Sequence, residues 1–427
     1  MLSGTVLLRN VFRSSSYRSA PLLCRLHSTT VGARPFDSSS FFFHNGIVTQ
    51  ELESPPPSPS HSTDAAPPQQ PQAVPLSSYR PIPALTPARL LGIYAQLSKA
   101  RLSAFNVLVA MSSVALSPLP TTVPVLLSTA LGTALCSASA NTLNQLQEVP
   151  FDAQMSRTRG RALVRRALNP AHAAVFAAAT GLAGPALLWG MCNPTTALLG
   201  AANIALYAGP YTWLKRRSIW NTWVGAIVGA VPPLMGWAAV GGTLVPSAAH
   251  PIAVSLPPFL LASSLSSLSS YGLAPSMLEN PLAPWALFAL MFSWQFPHFN
   301  SLAQFVRASY AQSGYHMLAV LDARKNRLVA LRHVLLLTGI CSALVPLAGL
   351  TTWTFALTSL VPNAIWVRAA WQFNKFGGDA RARTVFMHSL WWLPVVLGLM
   401  IVHKNNVDWL QWTGLRAKDE EKEVEQS

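Results

Sequence analysis

Charged residues are scarce in this chain. Asp, Glu, Lys and Arg make up 11% of its 427 residues, whereas apolar residues make up 51%. This composition excludes an ordinary soluble enzyme, because about a quarter of the residues in such a protein are charged. Basic residues outnumber acidic ones, but they lie in short loops between apolar runs and not on one continuous surface, so no nucleic-acid partner is predicted. The composition favours an all-α polytopic membrane protein.

Cysteine is also rare. The four cysteines, Cys24, Cys136, Cys192 and Cys341, are widely separated, and no CxxC motif or Cys/His pairing occurs. Their spacing therefore indicates neither a disulfide framework nor a zinc site.

Acidic residues are missing altogether from residues 1–36, which contain five arginines and many serines. This composition is typical of a mitochondrial transit peptide. Residues 37–90 are rich in Ser and Pro, and they are predicted to form a disordered linker because they have too little apolar surface to offset chain entropy. A transmembrane domain is predicted over 91–404, followed by a polar tail over 405–427.

Long apolar runs are abundant between residues 91 and 404. Nine of them are close to the length of about 20 residues that a membrane-spanning helix requires. They lie near residues 101–118, 121–141, 170–190, 193–213, 220–241, 284–304, 331–350, 352–373 and 384–403. Loops that carry Lys and Arg alternate with loops that carry none, and the positive-inside rule predicts that the basic loops face the matrix. The segment 242–283 is predicted to be an insertion that does not cross the membrane.

The densest polar cluster follows the second apolar run, within residues 141–166. Four of its side chains recur at i, i+3, i+4 and i+7, so a helix would place them on one face. They are Asn141, Asn144, Gln145 and Glu148. Asp152 would follow on that face, although Pro150 is expected to end or bend the helix between the two carboxylates.

Two carboxylates and two amides at the mouth of a membrane segment are suitable ligands for Mg²⁺, which prefers oxygen and leaves positions for a substrate phosphate. The arginines just beyond them could bind the remaining phosphate oxygens. An ordinary helix end with positive-inside charge explains the arginines but not the face of acids and amides. The residues alone leave both readings open.

Two further polar clusters lie at predicted matrix-side loops. The first contains Tyr211, Lys215, Arg216 and Asn221, and it precedes a GxxxG helix whose glycines alone indicate tight helix packing. The second contains His298 directly after a proline in an apolar run, where polar groups are costly and often functional. A histidine that merely packs inside the protein is the alternative. Together the clusters suit an amphipathic substrate with an anionic head and an apolar tail.

Three stretches carry a family resemblance: NQLQEVPFDAQMSRTRGRALVR, YTWLKRRSIWNTWVGAIVGAVPPLMGW and WQFPHFNSLAQFVRASYAQSGYHML. They resemble the three signatures of the protohaem IX farnesyltransferases, or haem O synthases, a branch of the UbiA-type superfamily of intramembrane prenyltransferases. The resemblance extends from about residue 90 to residue 403. It implies nine helices around a cavity that opens to the matrix side of the mitochondrial inner membrane. It also implies haem B and farnesyl diphosphate as substrates, Mg²⁺ as the metal, and hand-over of the product to a haem A synthase.

The resemblance also implies roles for individual residues. It implies that Asn144, Glu148 and Asp152 bind the metal and take part in catalysis. Diphosphate binding passes to Arg157, Arg161, Lys215 and Arg216, with Lys215 also catalytic. The haem side comprises His298, Asn221 and Tyr211, and His298 is also assigned to the proton and water steps.

Two departures from the superfamily pattern bear on the metal. The first motif has Gln145 and Glu148 where relatives are richer in Asp, and the third has Ser309 before Tyr310 where relatives often place an acid. The first departure implies a metal held with less charge, and the second argues against a second Mg²⁺ bound as in the quinone-forming branch. Two other functions stay open. A prenyltransferase acting on 4-hydroxybenzoate should carry an Asp-rich third motif, which is missing here. A non-enzymatic carrier or assembly factor fits the composition but gives no reason for the polar helix face.

Overall fold

The computed structural model describes residues 85–257 and 280–405. Regular secondary structure in these ranges is helical, apart from one isolated bridge between Thr351 and Lys404. The predicted transit peptide, most of the linker, residues 258–279 of the insertion and the tail from residue 406 lie outside the described residues. The domain boundaries drawn there stay predictions.

The described ranges contain thirteen α-helices of four residues or more, and these follow one another closely along the chain. They are α1 (Pro87–Leu97), α2 (Ala100–Leu116), α3 (Val123–Asp152), α4 (Pro170–Met191), α5 (Pro194–Leu206), α6 (Trp220–Ala239), α7 (Leu282–Phe305), α8 (Arg307–Gln312), α9 (Leu318–Leu321), α10 (Ala323–Gly339), α11 (Thr354–Thr358), α12 (Leu360–Phe376) and α13 (Asp379–Val402). A π-helical turn extends α5 over Tyr207–Tyr211, and another extends α10 over Ile340–Leu344. Each of the nine predicted apolar segments overlaps one of the long helices.

Five helices within the described ranges are long and apolar enough to cross a membrane: α3, α4, α6, α13 and the extended α10, Ala323–Leu347. The bent pair α1 and α2, whose axes differ by 58°, adds a sixth if it is one span. The prediction of an all-α polytopic membrane protein is confirmed. The count of nine passes and a cavity open to the matrix stay predictions.

The loops gather at two ends of the helix bundle. At one end, which we call the polar end, Arg161 reaches Glu148 and the backbone N–H of His316 donates to the carbonyl of Lys215 at 2.9 Å. At the opposite end the ammonium of Lys404 donates to the carbonyl of Ser117 at 2.7 Å. Alternate loops therefore meet, as expected for helices that run up and down, and the loops rich in Arg and Lys share the polar end.

Helix contacts define where the site can lie. Helix α3 packs against α2 and α4, whereas α7 packs against α6, α10 and α13. The close approach of α6 to α2 depends on Gly236, because a Cβ there would collide with the backbone carbonyl of Ala110. A large apolar core lies between α7, α10, α12 and α13 and includes Trp366 and Trp392. Parts of α2, α6, α7 and α13 are left facing a cavity.

Candidate active site

The polar end of α3 is buried although it is rich in polar side chains. The predicted polar face is confirmed as an inward face, since each of its members is at most 5% exposed. These residues are Asn141, Asn144, Gln145, Glu148 and Asp152. Helix α3 extends beyond the predicted pass, 121–141, and continues through Pro150 to Asp152, so Pro150 does not end the helix between the two carboxylates. Partners on other elements stabilise the extra turns, since Gln145 donates to the carbonyl of Leu97 at 2.6 Å.

Two cations hold the two carboxylates. The ammonium of Lys215 lies 2.6 Å from Oε1 of Glu148, and Nη1 of Arg161 lies 3.9 Å from its Oε2. The same guanidinium nitrogen contacts the carboxylate of Asp152. Burial alone would lower the pKa of Lys215, but attraction by the Glu148 carboxylate outweighs burial and raises this pKa well above its usual value. Lys215 therefore carries its charge at neutral pH.

A third cation, Lys99, joins the cluster from the break between α1 and α2. Its backbone has a φ of 47°, in the left-handed region that side chains rarely adopt. Its ammonium donates to Oδ1 of Asn144 at 3.1 Å and to the hydroxyl of Tyr207 at 3.3 Å. Nδ2 of Asn144 donates in turn to Thr212 at 3.0 Å. Lys99 was not predicted as a site residue, because the sequence shows it only as a lysine at the start of an apolar run.

Two tyrosines connect this cluster to the cavity. The ring of Tyr211 lies 4.6 Å from the ammonium of Lys215 and stacks on Tyr207 with centroids 4.9 Å apart. Tyr207 also donates to Oδ1 of Asn141 at 3.3 Å. Gly225 leaves room for the Tyr211 ring, because a Cβ there would lie 2.7 Å from a ring carbon. Both tyrosines line the cavity and contact basic side chains of the cluster, Tyr207 through Lys99 and Tyr211 through Lys215.

The cavity has a volume of about 570 Å³ and is lined mainly by aromatic and aliphatic side chains. This volume lies within the range of about 300–1,000 Å³ that is usual for small-molecule sites. Its walls come from α2, α5 with its π-helical turn, α6, α7 and α13. The polar lining residues include Arg101, Asn106, Thr222, Gln295 and His298.

His298 lies on the cavity wall, where a hydrogen bond fixes its ring. Its Nδ1 is 2.7 Å from the hydroxyl of Ser389 on α13, and its ring stacks on Trp294 with centroids 4.7 Å apart. The indole of Trp294 donates to the carbonyl of Ser389 at 3.1 Å. Nε2 of His298 makes no hydrogen bond with the described residues. Ser389 was not predicted as a site residue, because it belongs to no recognisable sequence motif.

The remaining predicted site residues lie outside the charged cluster. Arg157 is exposed, and Arg216 is also exposed with its guanidinium 3.9 Å from the ring centroid of Phe151. Asn221 is buried and lines the cavity, but its amide donates to the carbonyls of Ser218 and His316. The structure therefore brings together Asn144, Glu148, Asp152, Arg161 and Lys215. It places Tyr211, Asn221 and His298 on the cavity wall.

The oxygen atoms in this cluster suit a metal ion that is bound partly by the protein and partly by a substrate. Among the described residues there is no group of three or more His, Cys, Asp or Glu that could hold a metal ion by itself. Glu148 and Asp152 both approach one nitrogen of Arg161, so a cation already lies between them. Mg²⁺ is commonly held by one or two carboxylates, waters and substrate phosphates, and this pair can supply the carboxylates. Oδ1 of Asn144 accepts from Lys99 in this structure.

A comparison with family models places these residues within a known fold. Residues 104–393 match the model described as the UbiA prenyltransferase family, which is more than half of the chain. The chain belongs to the UbiA prenyltransferase family. Helices α2 to α13 and the whole cavity lie within or next to the matched range.

Other UbiA prenyltransferase family members resemble this chain in sequence and in structure. A relative from Yarrowia lipolytica named "Protoheme IX farnesyltransferase, mitochondrial" is 42% identical over 332 residues, covering 74% of this chain and 63% of that protein. The human protein of the same name is 40% identical, with coverages of 74% and 63%. The chain thus spans less than two thirds of the length of these relatives.

Solved structures show the same fold. A structure of digeranylgeranylglyceryl phosphate synthase aligns with a TM-score of 0.55 at 14% identity, covering 73% of this chain and 98% of that one. An apo structure of a UbiA homologue from Aeropyrum pernix aligns with a TM-score of 0.52 at 18% identity, covering 71% of this chain and 97% of that one. At these identities the likeness concerns the fold alone.

Proposed function

We propose that the chain transfers the farnesyl group of farnesyl diphosphate to a vinyl group of haem B, forming haem O. The names of its relatives support this substrate pair, since those at about 40% identity are called protoheme IX farnesyltransferase. Haem O is a precursor of haem A, so a haem A synthase is the proposed recipient of the product. The mitochondrial inner membrane is the proposed location, with the polar end on the matrix side.

The observation that carries the proposal is the contact between a charged cluster and an apolar cavity. Three basic side chains gather here with two carboxylates: Arg161 and Lys215 contact the acids, and Lys99 donates to Asn144 beside them. Tyr207 and Tyr211 touch this cluster and also line the cavity of about 570 Å³. A substrate with an anionic diphosphate and an apolar tail can therefore place each part in a matching environment.

Mg²⁺ is the proposed metal, with Glu148 and Asp152 as its protein ligands and Asn144 beside them. The metal would add positive charge at the diphosphate and so stabilise the leaving group. Arg161, which contacts both acids, and Lys215, which contacts Glu148, would then turn from the carboxylates toward the phosphate oxygens. Arg157 and Arg216 are exposed near this end and are proposed to bind the outer phosphate oxygens.

The reaction begins with cleavage of the allylic C–O bond, whose electron pair leaves on the diphosphate oxygen. Lys215, Arg161 and Lys99 stabilise that developing charge, and such preorganised groups are usually the largest contribution in a site that excludes water. The haem vinyl group donates its electron pair to the farnesyl cation, forming the new C–C bond. Water then adds to the resulting cation and loses a proton, which leaves a hydroxyethylfarnesyl chain. His298 is proposed to accept that proton at Nε2, with Tyr211 and Asn221 contacting the haem.

Product analysis tests this proposal. Membranes that contain the full chain would be incubated with Mg²⁺, farnesyl diphosphate and haem B, and the extracted haems would be separated by hydrophobicity and mass. We expect a more hydrophobic haem whose mass has increased by a farnesyl group plus water. Prenylated 4-hydroxybenzoate in a parallel tube, without a new haem, would assign the chain to a quinone-forming function. No product in either tube from folded protein would favour a carrier.

A further inference from the structure

Arg101 is the one arginine or lysine that lines the cavity of about 570 Å³ in the described part of the chain. It lies in the first turn of α2, its side chain is exposed, and it makes no hydrogen bond or ion pair with the described residues. The cations of the charged cluster, in contrast, are held by carboxylates or amides. The function proposed above gives Arg101 no role.

Aromatic contacts place Arg101 at the same level of the cavity as His298. Phe105 stacks on Trp294 with centroids 5.6 Å apart, and both rings line the cavity. Arg101 precedes Phe105 by one helical turn on α2, which starts at the polar end. His298 follows Trp294 by one turn on α7, which runs toward the polar end. Arg101 and His298 therefore both lie one turn nearer the polar end than the Phe105–Trp294 pair.

This arrangement suits a flat aromatic acceptor that carries carboxylates. The rings of Phe105 and Trp294 provide apolar surface, and His298 provides a nitrogen, Nε2, that no described residue contacts by a hydrogen bond. A carboxylate placed in such a cavity needs a cation, because an unpaired buried charge is costly. The guanidinium is well shaped for that purpose, since it binds a carboxylate through two parallel hydrogen bonds.

We propose that Arg101 is the receptor for a propionate carboxylate of the porphyrin acceptor. The inference rests on the proposed function, because it assumes that the acceptor is haem B. Arg101 thereby fixes which edge of the porphyrin faces the polar end. It also selects against planar acceptors that lack a carboxylate at that edge.

The test compares haem B with haem B dimethyl ester, in which both carboxylates are blocked. Initial rates of farnesylation would be measured for the wild type, Arg101→Ala and Arg101→Lys, with farnesyl diphosphate saturating and then varied. For the wild type we expect kcat/KM to be about tenfold or more lower with the ester, as for loss of a hydrogen bond to a charged group. Arg101→Ala should show the same loss with haem B and no further loss with the ester, because both changes remove one interaction.

Two controls accompany the comparison. The KM for farnesyl diphosphate should be unchanged in Arg101→Ala, and Arg101→Lys should restore part of the preference for the free acid. Arg332→Ala removes an exposed arginine that does not line the cavity, and it should behave like the wild type. Binding of the two porphyrins to the full chain, followed by absorbance, gives the same comparison without turnover.

Each other outcome contradicts the inference in its own way. An equal loss with haem B and with the ester in Arg101→Ala would show a structural role. A raised KM for farnesyl diphosphate alone would assign Arg101 to the diphosphate. A wild type that farnesylates both porphyrins equally would overturn the inference and leave the proposed function standing. A wild type that neither binds nor farnesylates haem would overturn both.

Discussion

Lys215 and Glu148 show how single residues build this site. The two charges are 2.6 Å apart, and both side chains are largely withdrawn from solvent. A buried ion pair of this kind adds little net stability, because desolvation offsets the attraction. It is better explained as a preformed set of charges that an anionic substrate and its metal can take over. The free energy needed to bring the charges together is then supplied during folding and does not add to the barrier of the reaction.

The Lys215→Ala variant should weaken the binding of farnesyl diphosphate. Loss of one charge-assisted hydrogen bond corresponds to about 1.5–3 kcal/mol, so the KM for farnesyl diphosphate should rise roughly 10- to 100-fold. Steady-state kinetics with haem B saturating would measure this KM. Lys215→Arg keeps the charge and should lose much less. An unchanged KM in Lys215→Ala would remove Lys215 from the diphosphate site.

The Ser389→Ala variant should impair the haem side of the reaction and spare the diphosphate side. Without the hydroxyl that lies 2.7 Å from Nδ1, the His298 ring loses its fixed orientation. Loss of such a supporting contact typically costs about 10- to 100-fold in metal sites, and a loss near the lower end is expected in kcat/KM for haem B. Kinetics with each substrate varied in turn would measure it.

A matched serine provides the control for Ser389. Ser139→Ala removes a buried hydroxyl that donates to the carbonyl of Ala177 and lies away from the cavity. It should leave the kinetics unchanged. Ser389→Thr keeps the hydroxyl and should recover part of the activity. If Ser389→Ala and Ser139→Ala behave alike, Ser389 does not position His298.

The sequence predicted residues that lie in polar clusters, such as Glu148 and Lys215, and did not predict single distant residues that no cluster marks. Glu148, Asp152 and Arg161 lie on or just after one helix, so their meeting could be read from spacing. Lys99 reaches Asn144 across 45 positions, and Ser389 reaches His298 across 91. Such pairs depend on how whole helices pack, and nothing local in the sequence encodes that packing.

At the scale of elements, α3 is the helix on which the cluster is built. Hydropathy predicted its apolar part, 121–141, and the spacing of the polar side chains predicted that the helix continues to Glu148, but its passage through Pro150 to Asp152 was not predicted. The polar side chains stay inside because α1, α5 and the loop after α3 supply partners for them. Hydropathy detects contact with lipid and does not detect contact with other polar groups. It therefore finds apolar helices but not the buried polar turns at the end of α3.

The Gly236→Ala variant should destabilise the bundle. A Cβ at this position would collide with the carbonyl of Ala110, and backbone on two packed helices has little freedom to move apart. Overpacking of this kind costs about 1–3 kcal/mol. The apparent melting temperature of the purified chain in detergent would measure the loss.

Gly190→Ala is the matched control for this change. Gly190 also lies in a helix, but a Cβ there meets nothing within 4 Å. Replacing a helical glycine with alanine in open space is neutral or favours the helix by up to about 1 kcal/mol. A Gly236→Ala protein that melts no lower than Gly190→Ala would show that α2 and α6 do not need this close approach.

At the scale of the whole molecule, the fold separates a charged end from an apolar interior. Loops rich in Arg and Lys share the polar end, and the cavity begins beneath it between α2, α6, α7 and α13. An amphipathic substrate would be oriented by this separation before any specific contact forms. The apolar lining of the cavity would disfavour water beside the reacting carbons, which the proposed carbocation chemistry requires.

The most direct test of this account is the rate of farnesylated haem formation by Glu148→Gln and Asp152→Asn over a series of Mg²⁺ concentrations. Both variants should insert into the membrane like the wild type and lose about 100-fold or more in rate, because each removes a carboxylate from the proposed metal pair. Asp322→Asn is the control, since Asp322 is a partly exposed N-cap of α10 that asparagine can replace. Wild-type rates in both variants would contradict the account.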